Sequence, residues 1–153
     1  MARCSTKVSW SMKPKVKIYT DGSSLGNPGN GGWGAILVHG DNKKEMSGFA
    51  PDVTNNQMEL TAVIEALKTL KKPCHVFLTS DSKYVLDSIS KWMDGWERKN
   101  WNGVKNLDLM KELNELRKIH SIECNWIKGH TGHPENERCD KLAVTAAKKG
   151  KPH

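Results

Sequence analysis

Two short stretches of the chain follow the same plan. In "KIYTDGSS" (residues 17–24) and "VFLTSDSK" (residues 76–83), an apolar strand-like run stops at an aspartate and gives way to small polar residues. As neighbouring parallel strands they would place Asp21 and Asp81 side by side at their carboxyl ends, the edge where open α/β sheets hold ligands. This pairing constrains the fold strongly, because parallel neighbours must be joined by a crossover, usually helical, on a face of the sheet.

The rest of the chain supplies that crossover. Val16, Ile18 and Thr20 alternate with Lys15, Lys17 and Tyr19, which predicts a strand over residues 15–21. "GWGAILVHG" predicts a second strand, "GDNKK" a turn and "KEMSGFA" a third strand closing a hairpin meander; "PDVTNN" reads as a turn. Met58, Ala62, Val63, Ala66, Leu67 and Leu70 fall at helical spacing, predicting a helix over about 55–72 that ends at "KKPC". "HVFLTS" is continuously apolar, as suits a strand buried on both faces. "SKYVLDSISKWM" turns helical. "NLDLMKELNELRKI" predicts an amphipathic helix with Leu107, Met110, Leu113, Leu116 and Ile119 or its neighbours inward. "SIECNWI" reads as a fifth strand and "KGHTGH" as a glycine-rich loop. "PENERCDKLAVTAAKK" is a final helix with Pro134 in its first turn. The order β-β-β-α-β-α-α-β-α predicts an α/β fold: a mixed sheet, part antiparallel and part parallel, with helices on its faces.

The length of 153 residues suits one domain with a single core. Residues 1–14 are expected to be a short mobile extension, 15–149 the domain and 150–153 a tail. No apolar run approaches a membrane span, and the first residues lack the apolar core of a signal peptide, so a cytoplasmic protein is expected. The cysteines at 4, 74, 124 and 139 show no paired spacing, which speaks against a metal ribbon or redox motif. The net charge of +7 is compatible with a polyanionic partner, or with a basic surface kept for solubility.

Helical stripes supply two further carboxylates. Glu59 leads a stripe with Val63, Ala66 and Leu70, and Asp140 one with Ala143, Val144 and Ala147, so both point toward the core side. Desolvated carboxylates that converge repel one another, and a divalent cation relieves both costs; oxygen ligands suit Mg²⁺, with Mn²⁺ as a substitute. Each residue also has a plainer reading. Asp21 and Asp81 could cap turns. Glu59 could close a capping box opened by Asn56, although Thr54 and Gln57 offer the same box and leave Glu59 free. Asp140 could pair on the helix surface. Jointly they favour a metal site.

At these residues the chain resembles the type 1 ribonuclease H family of bacteria. "YTDGSSLGNPGNGGWGAIL", "TNNQMEL", "TSDSKYV", "KGHTGHPENERCDKLA" and the tryptophan-rich segment between them carry the likeness, from about Lys15 to Lys148. The resemblance implies a five-stranded mixed sheet of order 3-2-1-4-5, three antiparallel strands then two parallel, with helices on both faces. It implies an endonuclease that cuts the RNA strand of RNA–DNA hybrids by two-metal hydrolysis, leaving 3′-hydroxyl and 5′-phosphate ends. The family's four acids match Asp21, Glu59, Asp81 and Asp140, with Asp21 bridging two Mg²⁺ ions, Glu59 and Asp81 flanking one and Asp140 the other. His130 matches a mobile histidine that assists proton transfer or product departure. Ser23, Ser24, Gly26 and Asn27 would lie along the substrate. Asn55, Asn56 and Gln57 would reach the groove, and Thr54 would hold a phosphate of the DNA strand.

"KWMDGWERKNWNGVKN" matches a basic protrusion, in which Lys91, Arg98 and Lys99 would contact phosphates and Trp92 and Trp96 a deoxyribose, while Trp101 is expected in the core. A monomer with no small-molecule cofactor and no membrane contact is implied. The chain departs from the familiar pattern in a shorter stretch between Trp101 and Asn106, in Asp94 and Glu97 diluting the protrusion's charge, in Lys83 where glutamine is common, and in a short tail. The alternatives are a hybrid-binding module without catalysis, a nucleotide phosphotransferase, a nuclease of DNA junctions, and a zinc site at His130, His133 and Cys139. The phosphotransferase lacks its phosphate-loop motif, and the zinc site lacks a fourth ligand.

Overall fold

The structure is a computed structural model and describes residues 13–128 and 132–150. Its centre is a five-stranded sheet. Strand β1 (Lys15–Ser24) pairs antiparallel with β2 (Gly29–His39), and β2 antiparallel with β3 (Asn42–Val53). On its other side β1 pairs parallel with β4 (His75–Ser80), and β4 parallel with β5 (Ser121–Trp126). The order β3-β2-β1-β4-β5 is the one the resemblance implied, and it makes the two Asp-terminated strands neighbours.

The hairpin is longer than expected. Gly22 to Ser24 pair with Trp33 to Gly31, so most of the glycine-rich segment is strand and only residues 25–28 connect. Likewise β3 runs on through Pro51 to Val53, where a turn was expected. Proline is tolerated because β3 lies at the edge of the sheet, and the ladder shifts register between Gly29 and Gly31.

Helix α1 (Asn55–Thr69) opens with a complete capping box: the Thr54 hydroxyl accepts from the Gln57 N–H, and the Gln57 side chain accepts from the Thr54 N–H. It ends three residues earlier than expected, with Leu70 as its cap. Met58, Leu60, Ala62, Val63, Ile64, Ala66 and Leu67 are buried, meeting Val16, Ile18, Val76 and Leu78 of the sheet in one core.

Helix α2 (Lys83–Asp87) passes through a π-helical turn (Ser88–Trp92) into α3 (Met93–Arg98). Two serine hydroxyls donate back to carbonyls four residues earlier, Ser88 to Tyr84 at 2.6 Å and Ser90 to Leu86 at 2.8 Å. Such back-bonding competes with the helical ladder and accompanies the wider turn. In α4 (Leu107–Ile119), Met110, Leu113 and Asn114 are buried. Leu107, expected inward, is exposed at the start of the helix; at its end Ile119 is exposed and its neighbour His120 is the buried residue. Helix α5 (Pro134–Lys149) has Pro134 at its first turn and buries Cys139, Ala143 and Ala147.

Two glycines show how the layers close. A Cβ at Gly22 would overlap the backbone of Met58 and Glu59, whereas one at Gly32 would overlap the Ala143 carbonyl. Bare backbone thus lets α1 press on one face and α5 on the other. Beyond the reach of α5 the sheet is less covered: Val76, Leu78 and Ser80 of β4 are buried, but His75 and Phe77 only half so, contrary to the expectation of two buried faces.

Candidate active site

Four elements deliver one carboxylate each to the carboxyl end of β1 and β4. Asp21 sits in β1 opposite Gly34 of β2, where the alternation of the strand fixes its direction. Asp81 directly follows Ser80, the last residue of β4. Glu59 lies in the second turn of α1, free of the capping box that Thr54 and Gln57 complete. Asp140 lies in α5, next to the buried Cys139.

Carboxylate oxygens of Asp21, Glu59 and Asp81 all lie within 4.8 Å of one another. Asp140 stands at the margin of this trio and shares a hydrogen bond with Asp21. Burial above all, then the charge of Asp81 and the hydrogen bond and charge of Asp140, push the Asp21 carboxyl up to about 8; the Gly22 N–H acts the other way. Burial, followed by the charges of Asp21 and Asp81, raises Glu59 well above the ordinary glutamate range. Oε1 of Glu59 is buried with no hydrogen-bond partner among the described residues.

A buried carboxylate oxygen without a donor costs free energy unless something positive reaches it. Here three acids crowd together and one oxygen is orphaned, which is the donor set a hard divalent cation satisfies. The residues therefore fit a metal site. The zinc alternative does not gain support. The Cys139 thiol is buried and donates to the Tyr19 carbonyl at 3.3 Å, and His133 is exposed. His130 and Gly129 lie outside the described residues.

Residues expected along the substrate form a connected polar group. The Ser24 N–H donates to the Asn55 side chain at 2.8 Å, and the Asn55 N–H to the Asn27 side chain at 3.1 Å. The Ser24 hydroxyl donates to the carbonyls of Gly26 and Val53. Ser23 is half-buried beside them, and Asn56 is exposed. Thr54 and Gln57 serve the helix cap, and Gln57 also reaches toward Asn106 at 3.5 Å. Asn106 in turn donates to the Tyr84 hydroxyl at 2.9 Å. Sequence reasoning missed Asn106 and Tyr84, since only the fold brings residues 57, 84 and 106 together. Asn106 adopts a positive φ of 55°, a conformation asparagine tolerates, and that was its one local signal.

The protrusion is an aromatic ladder. Ring centroids of Tyr84, Trp92, Trp96 and Trp101 follow one another at 6.5, 5.8 and 6.2 Å. Trp92 is exposed, and Trp96 and Trp101 are half-buried against the core, so Trp101 is less enclosed than expected. Lys91 pairs with Asp87 at 3.5 Å, and Arg98 and Lys99 are exposed. Asp94 and Glu97, expected to dilute the basic charge, are held by Arg117 and Lys118 of α4. They tether the protrusion to the body.

Comparison with known proteins agrees with this geometry. The family profile described as RNase H matches residues 13–148. Ribonuclease H of Novosphingobium aromaticivorans is 55% identical over 137 residues, covering 86% of this chain and 96% of that protein. Ribonuclease HI of Caulobacter vibrioides is 51% identical over 146 residues, covering 92% and 98%. Among solved structures, LC9-RNase H1, described as a type 1 RNase H with the type 2 active-site motif, superposes with a TM-score of 0.83 at 30% identity, covering 91% of this chain and 74% of that one.

Proposed function

The chain belongs to the RNase H family and is a ribonuclease H acting on RNA–DNA hybrids, and we propose that it hydrolyses the RNA strand at the Asp21–Glu59–Asp81–Asp140 cluster with two divalent ions held there. The products are 3′-hydroxyl and 5′-phosphate ends. The observation that carries this reading is the buried Glu59 Oε1, which has no hydrogen-bond partner among the described residues and lies beside two further carboxylates.

Asp21, Glu59, Asp81 and Asp140 would hold the ions, Asp21 being shared between them, Glu59 and Asp81 serving one and Asp140 the other. Mg²⁺ is the proposed ion and Mn²⁺ its substitute, since every donor is a hard oxygen. When bound, the ions supply Lewis acidity at the scissile phosphate and lower the pKa of a water. The protein's own residues position the strand. Gly26 and the polar group of Ser23, Ser24, Asn27 and Asn55 offer main-chain and side-chain contacts to the RNA, whose 2′-hydroxyl marks it as the strand to be cut. Asn56 and Gln57 enter the groove, and Thr54 holds a DNA phosphate. Lys91, Arg98 and Lys99 contact phosphates, and Trp92 and Trp96 pack on deoxyribose, which has no 2′-hydroxyl to obstruct the ring. His130 assists proton transfer or the departure of product. The protein acts as a cytoplasmic monomer; among the described residues no helix is long and apolar enough to cross a membrane.

The test is a hybrid labelled separately on each strand, incubated with Mg²⁺. Cleavage of the RNA strand alone, lost in Asp21→Asn while hybrid binding persists, is the expected result. Binding without cleavage at any Mg²⁺ or Mn²⁺ concentration would make the chain a hybrid-binding module instead.

A further inference from the structure

Two residues beside the carboxylate cluster have no part in the reaction above. Trp126 ends β5 in register with Ser80, and it remains 47% exposed although it is among the largest side chains of the protein. Its indole N–H donates to the main-chain carbonyl of Asp81 at 3.1 Å. Over the same ring lies the ammonium of Lys83, with Nζ 4.7 Å from the ring centroid. Lys83 is the first residue of α2 and is exposed. The short helix that carries it is capped by the Ser82 hydroxyl, which accepts from the Val85 N–H at 3.3 Å.

The arrangement answers an electrostatic problem. A lysine on a flexible stem, two residues from Asp81, could swing into the acid cluster and pair with an oxygen that a cation needs. The indole face attracts the ammonium and holds it outside the cluster. It covers one side of the charge and leaves the other facing solvent. We propose that Lys83 and Trp126 together form an anion-binding point for a backbone phosphate of the RNA strand next to the one being cut. Lys83 makes the contact. Trp126 is a positioning residue, which aims the ammonium with its ring and steadies the Asp81 peptide with its N–H. The inference rests on the reading of the cluster as the cleavage site: a strand whose scissile phosphate lies at Asp21, Glu59 and Asp81 must carry a neighbouring phosphate past this edge.

Three single variants separate these roles. Hybrid binding is measured in EDTA across a salt series, cleavage kinetics in Mg²⁺, and Mn²⁺ affinity by calorimetry without substrate. Lys83→Gln is expected to weaken hybrid binding about 3- to 10-fold at low salt and to flatten the log–log salt slope by roughly 1, the value for one lost phosphate contact. Its kinetic change falls on KM more than on kcat. Trp126→Phe keeps a ring face for the ammonium but has no N–H. It is expected to keep the wild-type salt slope and to weaken Mn²⁺ binding several-fold. Trp126→Leu should reproduce the flattened slope, and adding Lys83→Gln to it should change the slope no further. A wild-type salt slope in Lys83→Gln, or losses from Lys83→Gln and Trp126→Leu that simply multiply, would overturn the phosphate point. Wild-type Mn²⁺ affinity in Trp126→Phe would remove the indole tether. Failure of the underlying reading is distinct from both: the unaltered protein would then not cut the hybrid at all.

Discussion

Replacing Asp21 by asparagine should make the metal-free protein more stable while removing its activity. Asp21 holds its proton far more tightly when folded than when unfolded, its carboxyl being pushed from 3.8 up to about 8 by burial and by Asp81 and Asp140. The stabilising contribution of such a group is complete below 3.8 and is lost as pH rises through about 8. At pH 7 the folded protein keeps a proton that the unfolded chain would release, over roughly 3 pH units, equivalent to about 4 kcal/mol at ~1.4 kcal/mol per unit. Asparagine has a similar shape and no charge, but its amide must still be buried. We therefore expect about half of that relief, ~2 kcal/mol at pH 7, or about 4–8 °C in Tm for a protein of this size. The assay is thermal or urea unfolding of both proteins in EDTA between pH 4 and pH 8. The gain should shrink toward zero at pH 4, close to the ordinary aspartate value of 3.8, where folding takes up only a fraction of a proton at this group. Added Mg²⁺ should stabilise the wild type and leave the variant nearly unmoved. A variant no more stable than wild type at pH 7, or a difference that ignores pH, would mean that Asp21 is not held protonated by its surroundings.

Gly22→Ala should cost about 1–3 kcal/mol, because its Cβ overlaps the backbone of Met58 and Glu59 and must push α1 from the sheet. Cleavage should fall further than stability explains, measured as kcat at a temperature where the variant is fully folded, since the shift moves Glu59 from Asp21. Alanine at Lys91, Arg98 and Lys99 together should raise KM and reduce the salt slope by roughly 2–3. An unchanged slope there would remove the protrusion from substrate binding. Glu97→Ala should loosen the protrusion by freeing Lys118 and Asn114, weakening hybrid binding although it makes the protein more basic. Tighter binding would show that Glu97 acts by charge alone.

The parts of this site that could be read from the sequence have local causes. Asp21 and Asp81 end runs whose alternation and apolarity mark strands, and their shared pattern showed what adjacency would achieve, while the strand order itself came from the resemblance. Glu59 was legible because Thr54 and Gln57 provide the helix cap without it. The hairpin was underestimated because glycine carries no side chain to reveal alternation, so Gly22 and Gly29 to Gly32 read as a loop. Pro51 read as a break because sequence does not say that β3 is an edge. Leu107 was placed inward by periodicity alone, but it overshoots the surface that α4 packs against, whereas at the other end His120 is buried beside the exposed Ile119. The roles of Asp94 and Glu97 were hidden because their partners, Arg117 and Lys118, lie on another helix. Two of the glycines in the hairpin segment have a packing purpose. Gly22 and Gly32 admit the two helices whose carboxylates complete the cluster.

Holding the divalent ions of the reaction is the role proposed for the four carboxylates. A crystal of the protein with a non-cleavable RNA–DNA hybrid, grown in Mn²⁺ and measured at the manganese edge, tests it most directly. Two anomalous peaks are predicted, both bound by Asp21, with Glu59 and Asp81 at one and Asp140 at the other. A cluster without manganese, in crystals whose protein still cleaves ordinary hybrid in the same Mn²⁺ buffer, would contradict the account.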